Sequence, residues 1–220
     1  MSEALRARAA ALPLSDLVDA DRERRVLAGL RRLSGTGSVA GWARTAQAAA
    51  GDAAAVHAAV RASGPGDVVV VDFGGATAPS GIGALVAAEA QRRGVVAVVL
   101  WGPARDAAAL RSLSMSVFAT GLQPIPGVHR DGGAHGVELR LDGVAIRPGD
   151  LVVADDDGVG AFAPADVERV VAAAERSARL DAEMATAIAA GSCLWDLPQL
   201  RGYIDAVDSA AATGSQGRGF

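Results

Sequence analysis

Two short runs limit what this chain can fold into more than any other feature. Val68–Val71 lies inside GPGDVVVVDFGG, and Val95–Trp101 reads VVAVVLW. Every residue in both runs is apolar, most are β-branched, and turn formers precede the first. Runs of this kind fit central strands whose two faces are both covered. Between them, GIGALVAAEAQRRG reads as a helix stopped at Gly94. After them, RDAAALRSL reads as a helix and SVFAT as another strand. Strand, helix, strand, helix in this order implies parallel βαβ units. The covering layers must be Ala, Val and Leu, because half of the residues are hydrophobic but only 4% are aromatic.

The pattern changes further on. GVELRLDGVAIRPGDLVVADDDGVGAFAP alternates apolar residues around Asp142-Gly143, Pro148-Gly149 and Asp157-Gly158, which are hairpin signals. Upstream, GWARTAQAA reads as a strand, and GDAAAVHAAVRAS as a helix opened by Asp52. Ser15 to Leu33 reads as a helix with Ser15 as N-cap and Leu17, Val18, Val26, Leu27, Leu30 and Leu33 as its stripe. From Ala165 to about Ala190 the chain is expected to be helical, with Val167, Val170, Val171, Ala174, Ala178 and Leu180 as packing positions. The tail AATGSQGRGF reads as frayed. The expected organisation is an N-terminal helical segment (1–34), an α/β core (35–165), and C-terminal helices with a tail (166–220) that pack on the core or a neighbouring subunit. The fold class is α/β, a mixed sheet with flanking helices. A chain of 220 residues buries such a core without staples.

Charge and composition exclude several functions. The formal net charge of −4 gives no reason to expect nucleic-acid binding. The cluster Arg22, Arg24, Arg25, Arg31 and Arg32 reads as a solvated helix face. The single cysteine, Cys193, allows no internal disulfide and fits a reducing cytoplasm. No secretory h-region opens the sequence, and the longest apolar run is far shorter than the roughly 20 residues of a membrane helix. All 21 basic residues are arginine. A lysine Schiff base is therefore excluded, and any carbanion must be stabilised by a metal, an arginine or backbone N–H groups.

Several motifs read best as structure. DFGG (Asp72–Gly75) has no kinase context around it. GIGALV (Gly81–Val86) follows its strand by too many residues for a dinucleotide fingerprint, though helix-start amides and glycines still suit an anion. Asp155, Asp156 and Asp157 fit a hairpin turn better than a metal site. His57, His129 and His135 lack metal-ligand spacing; the latter two lie in a Gly-rich loop that can approach a pocket. Cys193 has no partner in the pattern, and no G-x-S-x-G elbow occurs. Arg105 and Asp106 stand apart. They fall at the carboxyl end of an expected parallel strand, where ligands of such sheets gather.

Asp72-x-Gly74-Gly75, Gly102-x-x-Arg105-Asp106 and Pro148-Gly149-Asp150, in that order, resemble the family that joins 4-hydroxy-4-methyl-2-oxoglutarate aldolases to the regulator of RNase E activity A. The likeness runs from about Gly41 to Pro164. It implies a swivelling-domain (αββα) core assembled as a homotrimer or hexamer with active sites at subunit interfaces. It implies a lysine-independent aldolase and oxaloacetate decarboxylase that needs Mg²⁺ or Mn²⁺ and acts on small 2-oxo acids. By the same resemblance, Arg105 grips the pyruvoyl part, Asp106 holds the metal, and the amides of Gly83, Ala84 and Leu85 bind the carboxylate. Glu183 from a neighbouring subunit meets metal-bound water. The sequence departs from the family at Ala84, where an aspartate usually orders metal-bound water, and at Pro103. A non-catalytic regulatory protein and a divergent enzyme with the same enolate chemistry are the alternatives that this departure leaves open.

Overall fold

The computed structural model describes residues 2–49, 51–75, 79–130 and 132–214. It divides into two compact units, 1–174 and 175–220. In the first, α1 (Glu3–Ala10) and α2 (Leu14–Ala20) precede strands β1 (Val26–Leu27), β2 (Arg31–Ser34) and β3 (Val39–Gln47). Then come α3 (Ala54–Ala62), β4 (Asp67–Asp72), α4 (Ala84–Arg92), β5 (Ala97–Ala104), α5 (Ala107–Leu110) and β6 (Ser116–Leu122). Five short strands follow: β7 (Ala134–His135), β8 (Leu139–Leu141), β9 (Val144–Ile146), β10 (Leu151–Asp155) and β11 (Gly158–Phe162). The helix α6 (Val167–Ala189) starts in this unit.

The main sheet runs β1-β11-β10-β3-β4-β5-β6-β2, with β7 on β3; β8 and β9 form a separate hairpin. β3, β4, β5 and β6 are mutually parallel, and the remaining pairs of the sheet are antiparallel. The fold is therefore mixed α/β, as the two grammars of the sequence imply. Alternation along β4 explains why its run is apolar throughout. Val69 and Val71 join a core cluster with Val56 and Val60 of α3 and Ala87 and Ala90 of α4. Val68 and Val70 join another with Leu139, Leu141 and Ile146 of the β8–β9 hairpin. The sheet is thus covered on one face by helices and on the other by the hairpin. Gly94, at φ +83°, ends α4 as expected.

The structure corrects five expectations, the first being the hairpin read at Pro148-Gly149, which instead carries the chain from β9 to β10 in a different sheet. The helix of residues 15–33 stops at Ala20, and the rest supplies β1 and β2. Leu27 pairs with Val159 on β11, and Arg32 with Phe118 on β6, so distant strands override the local stripe. The arginine cluster is consequently no solvated helix face. The Arg25 side chain is 9% exposed, lies 3.0 Å from Glu23 Oε2, and donates from Nη1 to Asp150 at 2.7 Å and to the Ala145 carbonyl at 3.1 Å. The Arg32 guanidinium lies 4.6 Å from the Phe118 ring centre. The helix after Asp106 has only four residues. Of the α6 packing positions, Val167, Val170, Val171 and Ala174 are buried, but Leu180 is exposed.

The acidic triplet is a turn, as read. Asp155 accepts the Leu14 and Asp157 amides, and Asp156 pairs with Arg32. The second unit carries the rest of α6, a 3-10 turn at Leu194–Asp196 and α7 (Pro198–Gly214). The expected frayed tail thus begins as helix through 214; residues 215–220 lie outside the described ones. Among the described residues no helix is long and apolar enough to cross a membrane.

Candidate functional site

The candidate site forms where β5 ends against the segment that leads into α4. Gly81 donates its amide to the Pro103 carbonyl, and Arg105 donates its amide to the Ile82 carbonyl, both at 3.0 Å. This short ladder pins Gly83 beside Arg105 and Asp106. A Cβ on Gly83 would stand 2.5 Å from Asp106 Oδ2 and 2.9 Å from Arg105 Nε. Only glycine leaves room for both charged side chains there.

Asp106 adopts the left-handed backbone conformation (φ 62°, ψ 42°), which aspartate tolerates better than most residues. Its carbonyl accepts the Ala109 and Leu110 amides and so starts α5. Its carboxylate turns elsewhere. Oδ2 accepts the Ala84 amide at 2.9 Å, capping α4 across 22 positions of sequence. Arg105 Nε lies 3.6 Å from the same oxygen. Both side chains are roughly half exposed, so this pairing by itself adds little stability. The arrangement instead gathers a guanidinium, a carboxylate and helix-start amides at one place. Of the amides of Gly83, Ala84 and Leu85, that of Ala84 is already engaged by Asp106.

A pocket of about 170 Å³ opens here, lined by Gly83, Arg105, Ile82, Leu85, Val86 and Pro126 among others. His57 and His129 also line it, with their Nε2 atoms 3.0 Å apart. His57 comes from α3. His129 comes from a loop held in place by Asp52, whose carboxylate accepts the amides of Ala54, Arg130 and Gly132. Those amides, Ala54's foremost, hold the Asp52 carboxyl below the ordinary range against the opposing effect of burial. Partial desolvation, and then the nearby His129, lower the His57 pKa. His135 sits on exposed β7 and does not line this pocket. Nothing in the spacing of residues 57 and 129 pointed to their meeting.

The other motif residues have structural duties. Asp72 Oδ1 accepts the Gly74 amide and closes the turn after β4. Asp150 is buried between Arg25 and the Arg147 amide. Glu183 is exposed on α6 in the second unit. Cys193 is a free, exposed thiol.

Among the described residues, a metal ion beside the pocket-lining Gly83 and Arg105 would find the carboxylate of Asp106. Among the described residues, no three His, Cys, Asp or Glu side chains form a group that could hold a cation. Asp106 Oδ1, however, makes no hydrogen bond among the described residues. A single free carboxylate oxygen fits Mg²⁺ or Mn²⁺, hard ions that keep several waters and take further oxygens from a ligand. It does not fit a thiolate- or imidazole-seeking metal.

Comparison with known proteins agrees with the fold. A protein of Halalkalibacterium halodurans provisionally named 4-hydroxy-4-methyl-2-oxoglutarate aldolase is 34% identical over 147 residues, covering 67% of this chain and 70% of that protein. A protein of Alcanivorax borkumensis with the same provisional name is 40% identical over 96 residues, 44% of this chain and 60% of its own length. The solved structure of the RNA-processing inhibitor RraA from Thermus thermophilis superposes with a TM-score of 0.65 at 29% identity, over 68% of this chain and 92% of the other. The model of the RraA-like family, described as aldolase/RraA, matches residues 14–160. With two thirds of its length under that model and the parallel sheet in place, this chain belongs to the RraA-like family.

Proposed function

We propose that this chain is a carbon–carbon lyase that cleaves a 4-hydroxy-2-oxo acid, or decarboxylates oxaloacetate, through a pyruvate enolate. The observation that carries the reading is the convergence of Arg105 and Asp106 on Gly83 at the edge of a pocket. Both reactions break the C3–C4 bond and leave its electron pair as an enolate, with negative charge on the 2-oxo oxygen. Arg105 places a fixed positive charge where that oxyanion develops, and its fork can also clamp the substrate carboxylate. The amides of Gly83 and Leu85, at the start of α4, favour an anion at the same spot. Lysine is absent, so no Schiff base competes with this route.

Asp106 is the residue that would hold Mg²⁺ or Mn²⁺, with Glu183 of a neighbouring copy reaching it through water. When bound, the cation supplies Lewis acidity at the 2-oxo oxygen. The remaining work falls to this chain's own groups. Asp106 keeps the α4 amides and Arg105 in register, and Ile82 and Val86 form the apolar part of the pocket wall.

The proposed assembly is a homotrimer or hexamer in the cytoplasm, with sites at subunit interfaces. Leu85, at 87% exposure on the pocket lip, supports it, as do exposed Leu122 and Ile125. Light scattering should then give three or six times 22.0 kDa.

One observation favours a second reading. Ala84 puts a methyl group where the related enzymes carry a carboxylate, and its amide is taken up by Asp106. A non-catalytic binding protein of the RraA type fits that loss. Turnover separates the two readings. The lyase reading expects pyruvate from oxaloacetate or from 4-hydroxy-4-methyl-2-oxoglutarate in the presence of Mg²⁺ or Mn²⁺, abolished by EDTA and insensitive to borohydride. A folded protein that releases no pyruvate from either acid, with either metal, refutes it.

A further inference from the structure

We propose that the His57–His129 pair is the acid–base group of this pocket, taking the proton from the substrate's 4-hydroxyl and delivering one to C3 of the pyruvate enolate. The inference rests on the lyase reading and supplies what that reading lacks, a protein group that moves protons.

The geometry carries it. The two Nε2 atoms are 3.0 Å apart and the rings meet edge to face, with centroids 4.8 Å apart. A nitrogen–nitrogen contact this short needs one proton between the rings, because two lone pairs or two N–H groups would repel. In the neutral pair one ring donates through Nε2–H and keeps a free Nδ1. A proton arriving from outside binds that Nδ1 and leaves the bond between the rings intact. A second added proton would break it. This is a device for holding one extra proton, and it lines the same pocket as Arg105 and Gly83.

Both rings are fixed from the backbone. The amide of Ala53, one turn before His57, donates to the Val128 carbonyl, and the Val128 amide donates to the Gly51 carbonyl. Asp52 then gathers the Arg130 amide on the far side of His129. The charged groups around the pair are Arg61 on its own helix, Glu89 and Arg93 on α4, Arg105 at the end of β5, and Asp52 and Arg130 at the loop. Guanidiniums outnumber carboxylates here, and the apolar wall of Val60 and Val86 desolvates His57. Desolvation, and then the nearby His129, lower the His57 pKa and so favour its neutral form, which is the form a base requires. An anionic substrate reverses the balance and favours the protonated form.

The steps balance. In aldol cleavage the pair accepts the 4-hydroxyl proton; the O–H electrons form the C4 carbonyl, and the C3–C4 electrons form the enolate. The N–H proton then moves to C3, the carbonyl at C2 re-forms, and the pair returns to neutral. In decarboxylation no hydroxyl proton is available. Carbon dioxide leaves with the C3–C4 bond, and the proton given to C3 is one that the pair has taken from water.

His57→Gln and His129→Asn test this with two readouts. One is oxaloacetate decarboxylation; the other is exchange of the pyruvate methyl protons in D₂O, followed by ¹H NMR. Exchange requires a group that removes and returns a proton at C3. Decarboxylation requires only the broken bond, since the enolate can escape and take a proton from solvent. Each variant is expected to lose about 10²-fold in exchange and similarly in aldol cleavage, with a smaller fall in decarboxylation, where a proton from solvent can replace the one that the pair supplies. Exchange at the original rate in both variants overturns the proposal. So does an equal fall in all three activities, which marks a structural role. If the unaltered protein decarboxylates but does not exchange, the acid–base proposal fails alone. If it does neither, the lyase reading fails and takes this one with it.

Discussion

Asp106→Asn is expected to lower kcat/KM for oxaloacetate by about 10²-fold or more while leaving the protein folded. The asparagine oxygen can still accept the Ala84 amide that Asp106 Oδ2 accepts at 2.9 Å, so α4 keeps its cap. What disappears is the negative charge beside Arg105, and with it the carboxylate that meets both the α4 start and the guanidinium. The exposed pair with Arg105 contributes little to stability, so the melting temperature should hardly move. The loss should persist at saturating substrate, because the interaction belongs to the developing enolate rather than to ground-state binding. Arg105→Lys should also fall far below the original activity, since an ammonium keeps the charge but lacks the planar fork. Steady-state kinetics with Mn²⁺, beside thermal melts, checks both. Unchanged kcat/KM in Asp106→Asn would mean that this carboxylate is only a helix cap.

Asp150→Ala should show the opposite profile. Asp150 is 1% exposed and accepts from Arg25 Nη1 at 2.7 Å and from the Arg147 amide at 2.9 Å. Its backbone carbonyl also accepts the Ala43 amide, tying the start of β10 to β3. Removing the carboxylate leaves the Arg25 guanidinium, 9% exposed, balanced only from the solvent side by the exposed Glu23 at 3.0 Å, and leaves the Arg147 amide without its acceptor. Breaking a buried pair from one side costs roughly 3–5 kcal/mol. For a chain of this size that corresponds to a melting temperature lower by about 10 °C. The fraction that remains folded should keep its kcat, because Asp150 does not line the pocket of Arg105. Calorimetry and an active-fraction assay decide this. A normal melting temperature with lost activity would place Asp150 in the chemistry instead.

These two aspartates show what the sequence could and could not reveal. Both belong to motif pieces that looked alike on paper, yet Asp106 is half exposed beside the pocket-lining Gly83 and Arg105, and Asp150 is buried. The parallel core was legible because Val68–Val71 and Val95–Trp101 are apolar throughout, and only a sheet covered on both faces needs that. The hairpins were legible from Asp142-Gly143 and Asp157-Gly158, where turn chemistry is local. Residues 22–34 were not. Their leucines mimic a helical stripe, and the partners that make them strands, Phe118, Val159 and Gly160, lie about 85 to 135 positions away. The same limit applied at the pocket. Adjacency made Arg105 and Asp106 visible as a pair, but the reach of Asp106 to Ala84 and the meeting of His57 with His129 are tertiary facts. The Asp106 side chain caps α4 rather than the α5 that follows it, because its left-handed backbone turns it toward Gly83.

In the lyase reading, Arg105 and Asp106 serve one anion together with one cation. A Mn²⁺ titration followed by the paramagnetic resonance of the free ion, run with and without oxalate as an enolate mimic, measures that coupling. The pocket predicts weak Mn²⁺ binding alone, tightened about 10-fold or more by oxalate, with the enhancement lost in both Asp106→Asn and Arg105→Ala. Mn²⁺ binding that ignores oxalate, or an enhancement that survives either substitution, would contradict it.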